Sequence, residues 1–148
     1  MYYPYTRQAL PNEEYLKILG MAICAFNSNN AFIIENILYG IPPKYNWYKL
    51  INKTSGNLTP LVKEKIVNNS TESIAELFSD IVKKRNRIIH SFLITESGTK
   101  EQILQTLDKD NGNIQYPISI SYLKNFLKDN EKLSDLLYEY RDKITKVK

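Results

Sequence analysis

The sequence predicts a mainly α-helical bundle that carries a small β-hairpin before its last helix. Long stretches repeat apolar residues every three or four positions, which is the spacing of amphipathic helices. One shorter stretch instead places Asn111-Gly112 between two runs of strand-forming residues, which indicates a hairpin. A chain of 148 residues suits one domain, so we assign residues 1–148 to a single unit.

The first long helix is expected from Asn12 to about Tyr39. Asn12 is a suitable N-cap because acidic residues follow in the first turn, and Gly40 with Pro42-Pro43 indicates the end. Residues 1–11 precede this helix as an extended N-terminal arm that is rich in tyrosine. These tyrosines either stack on nucleic-acid bases or cover the outside of the bundle, and the sequence leaves both interpretations open.

Two short helices are expected next. The first covers residues 44–52, and its inward-facing residues are predicted to be Trp47, Leu50 and Ile51. Residues 54–57 have the composition of a turn. Thr59 then caps a second short helix that begins at Pro60, because proline is favoured at the first helical position.

The central helix is predicted from Thr71 to Ile94. Its apolar stripe consists of Ile74, Leu77, Phe78, Ile81, Ile88, Ile89 and Phe92. At about 100° per residue, Arg85 projects into this stripe. A guanidinium there is unfavourable unless it pairs with an acid such as Glu35 or Asp80, extends to water, or opens onto a wet cleft.

The segment 100–118 is predicted to be a hairpin insertion, with strands over 102–107 and 114–118. Pro117 would place the second strand at an edge of the sheet, because proline cannot donate to a ladder. A last amphipathic helix is expected from about Ser121 to Lys146.

The composition restricts function only weakly. A net charge of +4 permits an anionic partner without requiring one. Cys24, the only cysteine, lies among apolar residues, so we expect a core position and a reducing compartment. No apolar run approaches the roughly 20 residues of a membrane span, so we expect a cytoplasmic protein without a membrane partner.

The strongest functional signal is the run Arg85-Asn86-Arg87-Ile88-Ile89-His90 near the end of the central helix. It resembles the signature of the HEPN superfamily, an arginine and a histidine a few residues apart, often with an asparagine directly after the arginine. The order of a long first helix, a helix with the motif and a closing helix is also similar. The resemblance covers most of the chain in architecture but only six residues in motif, and it implies a HEPN-like helical bundle.

The resemblance further implies a metal-independent endoribonuclease that acts as a homodimer, with one cleft formed by the motifs of two protomers. Neither metal nor cofactor is then expected. His90 would serve as general acid or base, because imidazole titrates near neutral pH. Arg85 would hold the phosphate oxygens, and Asn86 would orient the phosphate or the imidazole. One imidazole cannot easily be both acid and base in one step, which gives a chemical reason for the dimer.

Lys83, Lys84 and Arg87 extend the positive charge around Arg85, and the next acid along the chain is Glu96. Because such a cluster attracts a phosphate backbone, we predict that these three residues bind RNA. A basic run late in a helix also suits the helix dipole as an ordinary solvated face. The charges alone therefore do not decide between these interpretations.

The biology that the resemblance implies is a bacterial toxin or a phage-defence effector, with RNA as target and an antitoxin or regulatory protein as a further partner. Some family members carry a tyrosine, modified by a nucleotidyltransferase partner, where this chain has Phe92, so that route of silencing is not expected here. Other members are inactive modules that bind a protein, a nucleotide or RNA. This alternative stays open, with Arg85 and His90 as structural residues.

Overall fold

The computed structural model describes residues 4–39, 46–68 and 72–146. The elements in chain order are α1 (Glu13–Leu38), α2 (Trp47–Ile51), α3 (Ser55–Lys65), α4 (Ile74–Ile89), β1 (Phe92–Thr95), β2 (Gln102–Asp108), β3 (Ile114–Ile118) and α5 (Ile120–Lys146). The prediction of a mainly helical protein is confirmed, and a small antiparallel sheet precedes the last helix.

The core lies between the two longest helices, α1 and α5, which pack along each other, while α4 packs against both α3 and α5. Apolar side chains at helical spacing fill the space between them, the largest fully buried ones including Phe78, Phe126, Ile33, Ile34, Ile37, Leu50 and Leu58. Burial of this apolar surface is the main favourable contribution to folding.

Two buried asparagines of α1 form hydrogen bonds with α5. The Nδ2 atom of Asn29 donates to the backbone carbonyl of Asn130 at 2.8 Å and to its side-chain oxygen at 3.1 Å. Further along, Oδ1 of Asn36 accepts from Nε of Arg141 at 2.8 Å. α1 is continuous through residues 27–30, where three asparagines lie close together, and the buried amide of Asn29 finds its partners inside the bundle.

The central helix is shorter than predicted. α4 is capped at its start by Ser73 and ends at Ile89, not at Ile94, with His90 as its C-cap. The next residues, Phe92–Thr95, form β1 and pair antiparallel with β2. Phe92 fits the helical spacing by coincidence, and the aromatic and β-branched run favours a strand once a partner strand lies beside it.

The predicted hairpin exists as β2 and β3, but it is part of a three-stranded antiparallel sheet in the order β1-β2-β3. Gly112 and Asn113 have positive φ angles of 74° and 61° in the connecting turn, which suits these residue types. Pro117 lies on β3, an edge strand, as predicted. The sheet is held to α1 by the hydroxyl of Tyr15, which donates to the carbonyl of Ile118 at 2.6 Å.

Three local predictions were wrong. α3 begins at Ser55 with Thr54 as N-cap, so Pro60 lies inside the helix rather than at its start. Trp47 begins a helix of only five residues and keeps 39% of its surface exposed, while Leu50 takes the buried position. Cys24 is exposed, because Ala22 and Phe26 face the core and Cys24 lies on the opposite side of α1.

The N-terminal arm is described from Pro4 onward; it contains no helix, and the side chain of Tyr5 is fully exposed. The predicted stop signal at Gly40 and Pro42-Pro43 lies outside the described residues. Among the described residues, α1 is long and apolar enough to cross a membrane, judged by its length and composition alone. Within α1, 28% of this apolar stretch is buried in the fold, and the absence of a membrane span stays a prediction.

Candidate functional site

The end of α4 positions the three motif residues. Five residues of helix separate Arg85 from His90 by about 7.5 Å along the axis and about 140° around it. The backbone N–H of His90 donates to the carbonyl of Asn86 at 3.0 Å, and this bond closes the last turn. The His90 side chain is exposed at the point where α4 gives way to β1. The imidazole is therefore open to a ligand approaching this end of the helix.

Arg85 is half-buried, and its guanidinium carbon lies 5.2 Å from the centre of the Phe26 ring on α1. Its Nη1 atom donates to the side-chain oxygen of Asn86 at 3.1 Å. Neither Glu35 nor Asp80 forms an ion pair with it among the described residues. The aromatic face and the neighbouring amide thus explain how a charged side chain lies within the apolar stripe.

Asn86 connects the two other motif residues. Its side chain accepts from Arg85, and its backbone carbonyl accepts from His90. Only one N–H of the Arg85 guanidinium is engaged in a hydrogen bond among the described residues, out of the five that an arginine carries. The remaining donors leave Arg85 able to bind a phosphate oxygen while Asn86 fixes its orientation.

Two of the predicted RNA-binding residues have partners within the chain. Lys84 forms an ion pair with Asp129 on α5 at 2.5 Å. Arg87 donates from Nη1 to the carbonyl of Leu107 at 2.7 Å, and the same atom lies 3.8 Å from Oδ1 of Asp108. Lys83, by contrast, is exposed and has no ion pair within the described part of the chain. Its RNA-binding role stays a prediction, as do those of the other two.

Asp108, at the end of β2, is buried and lies at the centre of a cluster of polar groups. The amide of Asn111 donates to its Oδ2 at 2.8 Å, and this bond lowers the pKa of the carboxyl group most. Burial acts in the opposite direction. The hydroxyl of Tyr116, the N–H of Asp110 and the charge of Arg87 each lower the pKa further. Asp108 therefore stays ionised and ties the sheet to α4.

A polar cleft of about 320 Å³ lies over this cluster, between α4, α5 and the turn after β2. Its wall includes Tyr122, and burial raises the pKa of that hydroxyl far above its usual range. Three cations and three carboxylates line the cleft: Lys83, Lys84, Arg87, Asp80, Asp108 and Asp110. Because these charges balance, the cleft carries no excess positive charge that would attract a polyanion.

A second, larger groove of about 510 Å³ runs between α3 and α4 and reaches the motif. Asn86 and Lys83 line it from α4, and Lys63 lines it from α3. Sequence reasoning did not identify Lys63, because this residue lies twenty positions before the basic run and joins it only through helix packing. The groove therefore extends the basic surface of α4 onto a second helix.

An apolar surface flanks His90. The solvent-exposed fractions of Ile89, Phe92 and Leu93 are 47%, 45% and 38%. They are adjacent to the histidine in sequence, at the end of α4 and the start of β1. Phe92 and Leu93 are successive residues of β1, so their side chains point to opposite faces of the sheet. Exposed apolar side chains are common at protein–protein contacts, and Phe92 offers one beside the end of α4.

Within the described ranges, no group of three or more His, Cys, Asp or Glu side chains is arranged to hold a metal ion. The motif residues, the groove and the flanking apolar surface thus make the end of α4 the candidate site. Comparisons of the chain with protein-family models, with curated proteins and with solved structures found no match.

Proposed function

We propose that the chain is a HEPN-like, metal-independent endoribonuclease that acts as a homodimer, as a bacterial toxin or phage-defence effector. The observation that supports this most is the arrangement at the end of α4. A guanidinium held by a neighbouring amide and an exposed imidazole lie within two turns of one helix. These groups are the ones that metal-free RNA cleavage requires, because one binds phosphate and the other transfers protons.

In the proposed reaction the RNA 2′-oxygen attacks the adjacent phosphorus and the bond to the 5′-oxygen breaks. A base removes the proton of the 2′-hydroxyl, and an acid gives a proton to the leaving 5′-oxygen. His90 of each protomer takes one of these roles. Arg85 donates to the phosphate oxygens as negative charge builds up on them, with Asn86 holding its orientation. The products are a 2′,3′-cyclic phosphate and a free 5′-hydroxyl.

The dimer is supported by the apolar surface next to His90. If Phe92, on one face of β1, packs against the same residue of a second copy, both imidazoles lie close to one interface. Burying this surface would stabilise the dimer by the hydrophobic effect. The same contact would place the His90 side chain of the second copy near the first, and so supply the second proton-transfer group that a single chain lacks.

The test is cleavage of single-stranded RNA by the purified full chain in EDTA. We expect products with 2′,3′-cyclic phosphate ends, and we expect His90→Ala to reduce the rate by at least ~10²-fold. Because His90 is exposed, its replacement should leave the melting temperature nearly unchanged. Ser28→Ala, an exposed change on α1, is the matched control and should cleave at the wild-type rate. Cleavage that persists in His90→Ala would contradict the proposal.

A second candidate function, a non-catalytic module that binds RNA or a partner protein, is favoured by the packing of Arg85. Its stacking on Phe26 is also what a purely structural arginine would show. Under this alternative, RNA is bound without product, and Arg85→Met lowers the stability of the fold without affecting any chemistry. Product analysis over long incubation separates the two functions.

A further inference from the structure

We propose that the groove between α3 and α4 holds the single strand of RNA that enters the site, with Lys63 as an RNA-contacting residue. This inference rests on the proposed function, because it assigns a path to the same substrate. It adds a helix and a residue that the motif does not contain.

The charge of the groove points to a polyanion. Lys63 and Lys83 face it from opposite helices, and no carboxylate is among the described residues that line it. Both lysines are exposed and neither forms an ion pair in the described part of the chain. Their positive charges are therefore available to phosphates, unlike that of Lys84, which Asp129 already neutralises.

The polar groups of the groove suit a sugar–phosphate backbone. Thr59 and Ser79 bring hydroxyl groups to its walls; the hydroxyl of Thr59 already donates to the carbonyl of Ser55 at 3.4 Å, so it is left to accept. Pro60 lies inside α3 and has no N–H, so the carbonyl of Gly56 lacks its usual helical donor. Both Pro60 and Gly56 line the groove. The walls therefore offer acceptors as well as donors, as contact with a ribose hydroxyl requires.

The position of the groove connects it to the chemistry. Asn86 lines it and also accepts the hydrogen bond from Arg85. A strand in the groove would reach the motif through Asn86. A volume of about 510 Å³ lies in the range that holds one small ligand, which suits a nucleotide or two of a single strand rather than a duplex. The balanced charges of the smaller cleft make it a poorer path.

The experiment measures binding of a fluorescein-labelled twelve-nucleotide poly-U RNA to the full chain, with His90→Ala present throughout so that nothing is cut. Fluorescence anisotropy is recorded over a series of salt concentrations. We expect Lys63→Gln to weaken binding several-fold and to reduce the slope of log K against log salt by about 0.7. Lys63→Gln with Lys83→Gln should reduce the slope by about 1.4, because each lysine releases one counterion.

Lys17→Gln is the matched control, because it makes the same change in net charge at an exposed position of α1 away from the groove. It should leave the slope unchanged. In the chain with His90 intact, Lys63→Gln should raise KM and leave kcat unchanged. Circular dichroism should show that all three variants keep their helices, since each lysine is exposed.

Two failures are distinguishable. If Lys63→Gln binds RNA like Lys17→Gln, with the same salt slope, the groove is not the path, although RNA cleavage would still support the nuclease. If the groove variants weaken binding but the chain with His90 intact never cuts RNA, the path stands and the nuclease proposal fails. A chain that does not bind the RNA overturns both.

Discussion

The guanidinium of Arg85 lies over the ring of Phe26, with its central carbon 5.2 Å from the ring centroid. The contact joins the motif helix α4 to α1, and it holds a positive charge at the border of the core. A cation over an aromatic face adds about 0.5–1 kcal/mol at sites that are partly exposed to water. Arg85 therefore contributes to the fold whether or not it also contacts substrate.

We expect Arg85→Met to keep the apolar stem on Phe26 and to lower the free energy of unfolding by about 0.5–1 kcal/mol. Under the proposed function it should also reduce RNA cleavage by about 10²-fold or more, because the phosphate loses its donor. Denaturant unfolding and single-turnover cleavage measure the two effects separately.

The control is Arg87→Met, which removes the other arginine of the motif helix. Its side chain is only 14% exposed and donates to Leu107, so we expect a loss of about 1.5–3 kcal/mol in stability. Cleavage by the folded fraction should fall less than in Arg85→Met. If Arg87→Met lost more cleavage activity than Arg85→Met, Arg85 would have no role beyond packing.

Phe92→Asp tests the apolar surface next to His90. Phe92 is 45% exposed in the single chain, so the change should affect folding only slightly. At a dimer interface it would place two carboxylates against each other, and we expect a monomer by size-exclusion chromatography with light scattering. Ile114→Asp, at a 57% exposed position on the opposite edge strand β3, is the control and should leave the dimer intact. A dimer that survives Phe92→Asp would place the interface elsewhere.

Tyr15→Phe tests the attachment of the sheet to α1. The lost hydroxyl donates to the carbonyl of Ile118 and accepts from the N–H of Leu104 at 3.2 Å, and both groups would be left without that partner. We expect the free energy of unfolding to fall by about 1–3 kcal/mol. Faster hydrogen exchange at the amide of Leu104 should accompany the loss. Tyr138→Phe removes an exposed hydroxyl and should change neither quantity.

Asp108 predicts a specific dependence of stability on pH. Its pKa is lowered in the folded state, mainly by the hydrogen bond from Asn111. Its contribution is therefore complete above the ordinary carboxyl pKa of about 4 and disappears as the pH falls through the lower, folded-state value. We expect Asp108→Asn to have a lower melting temperature than the wild type at pH 7, with the difference shrinking below about pH 4.

The control for this prediction is Asp110→Asn, which removes the same charge from an exposed neighbour. Its melting temperature should follow the wild type across the same pH range. If both variants behaved alike, the effect would come from net charge and not from the hydrogen bonds of the buried Asp108 carboxylate.

Sequence reasoning predicted the long helices and the hairpin because these follow from local periodicity and turn chemistry. Asn12 caps α1 as expected, and its side chain accepts from the N–H of Tyr15. β1 was missed because Phe92 continues the helical spacing, and only the neighbouring strand β2 decides its conformation. The early start of α3 was missed because Pro60 is a strong start signal, and packing overrode it.

At the candidate site, too, local features could be predicted and contacts between distant residues could not. The motif is contiguous, so its three residues could be identified from the chain. The sequence could not show which cations are neutralised, because Lys84 pairs with Asp129 and Arg87 with Asp108 only in the folded protein. Lys63 joins the groove in the same way, through packing of two helices that the sequence does not place side by side.

The amide pairing of Asn29 with Asn130 has a mechanical consequence for the whole bundle. Sliding α1 past α5 by one helical turn, about 5.4 Å, would leave the buried amide of Asn29 without its two acceptors on Asn130. The two long helices therefore form a fixed frame, with Asn36 and Arg141 as a second point of registration. Any rearrangement that accompanies RNA binding in the groove should therefore take place in α3, and hydrogen–deuterium exchange with and without RNA would locate it.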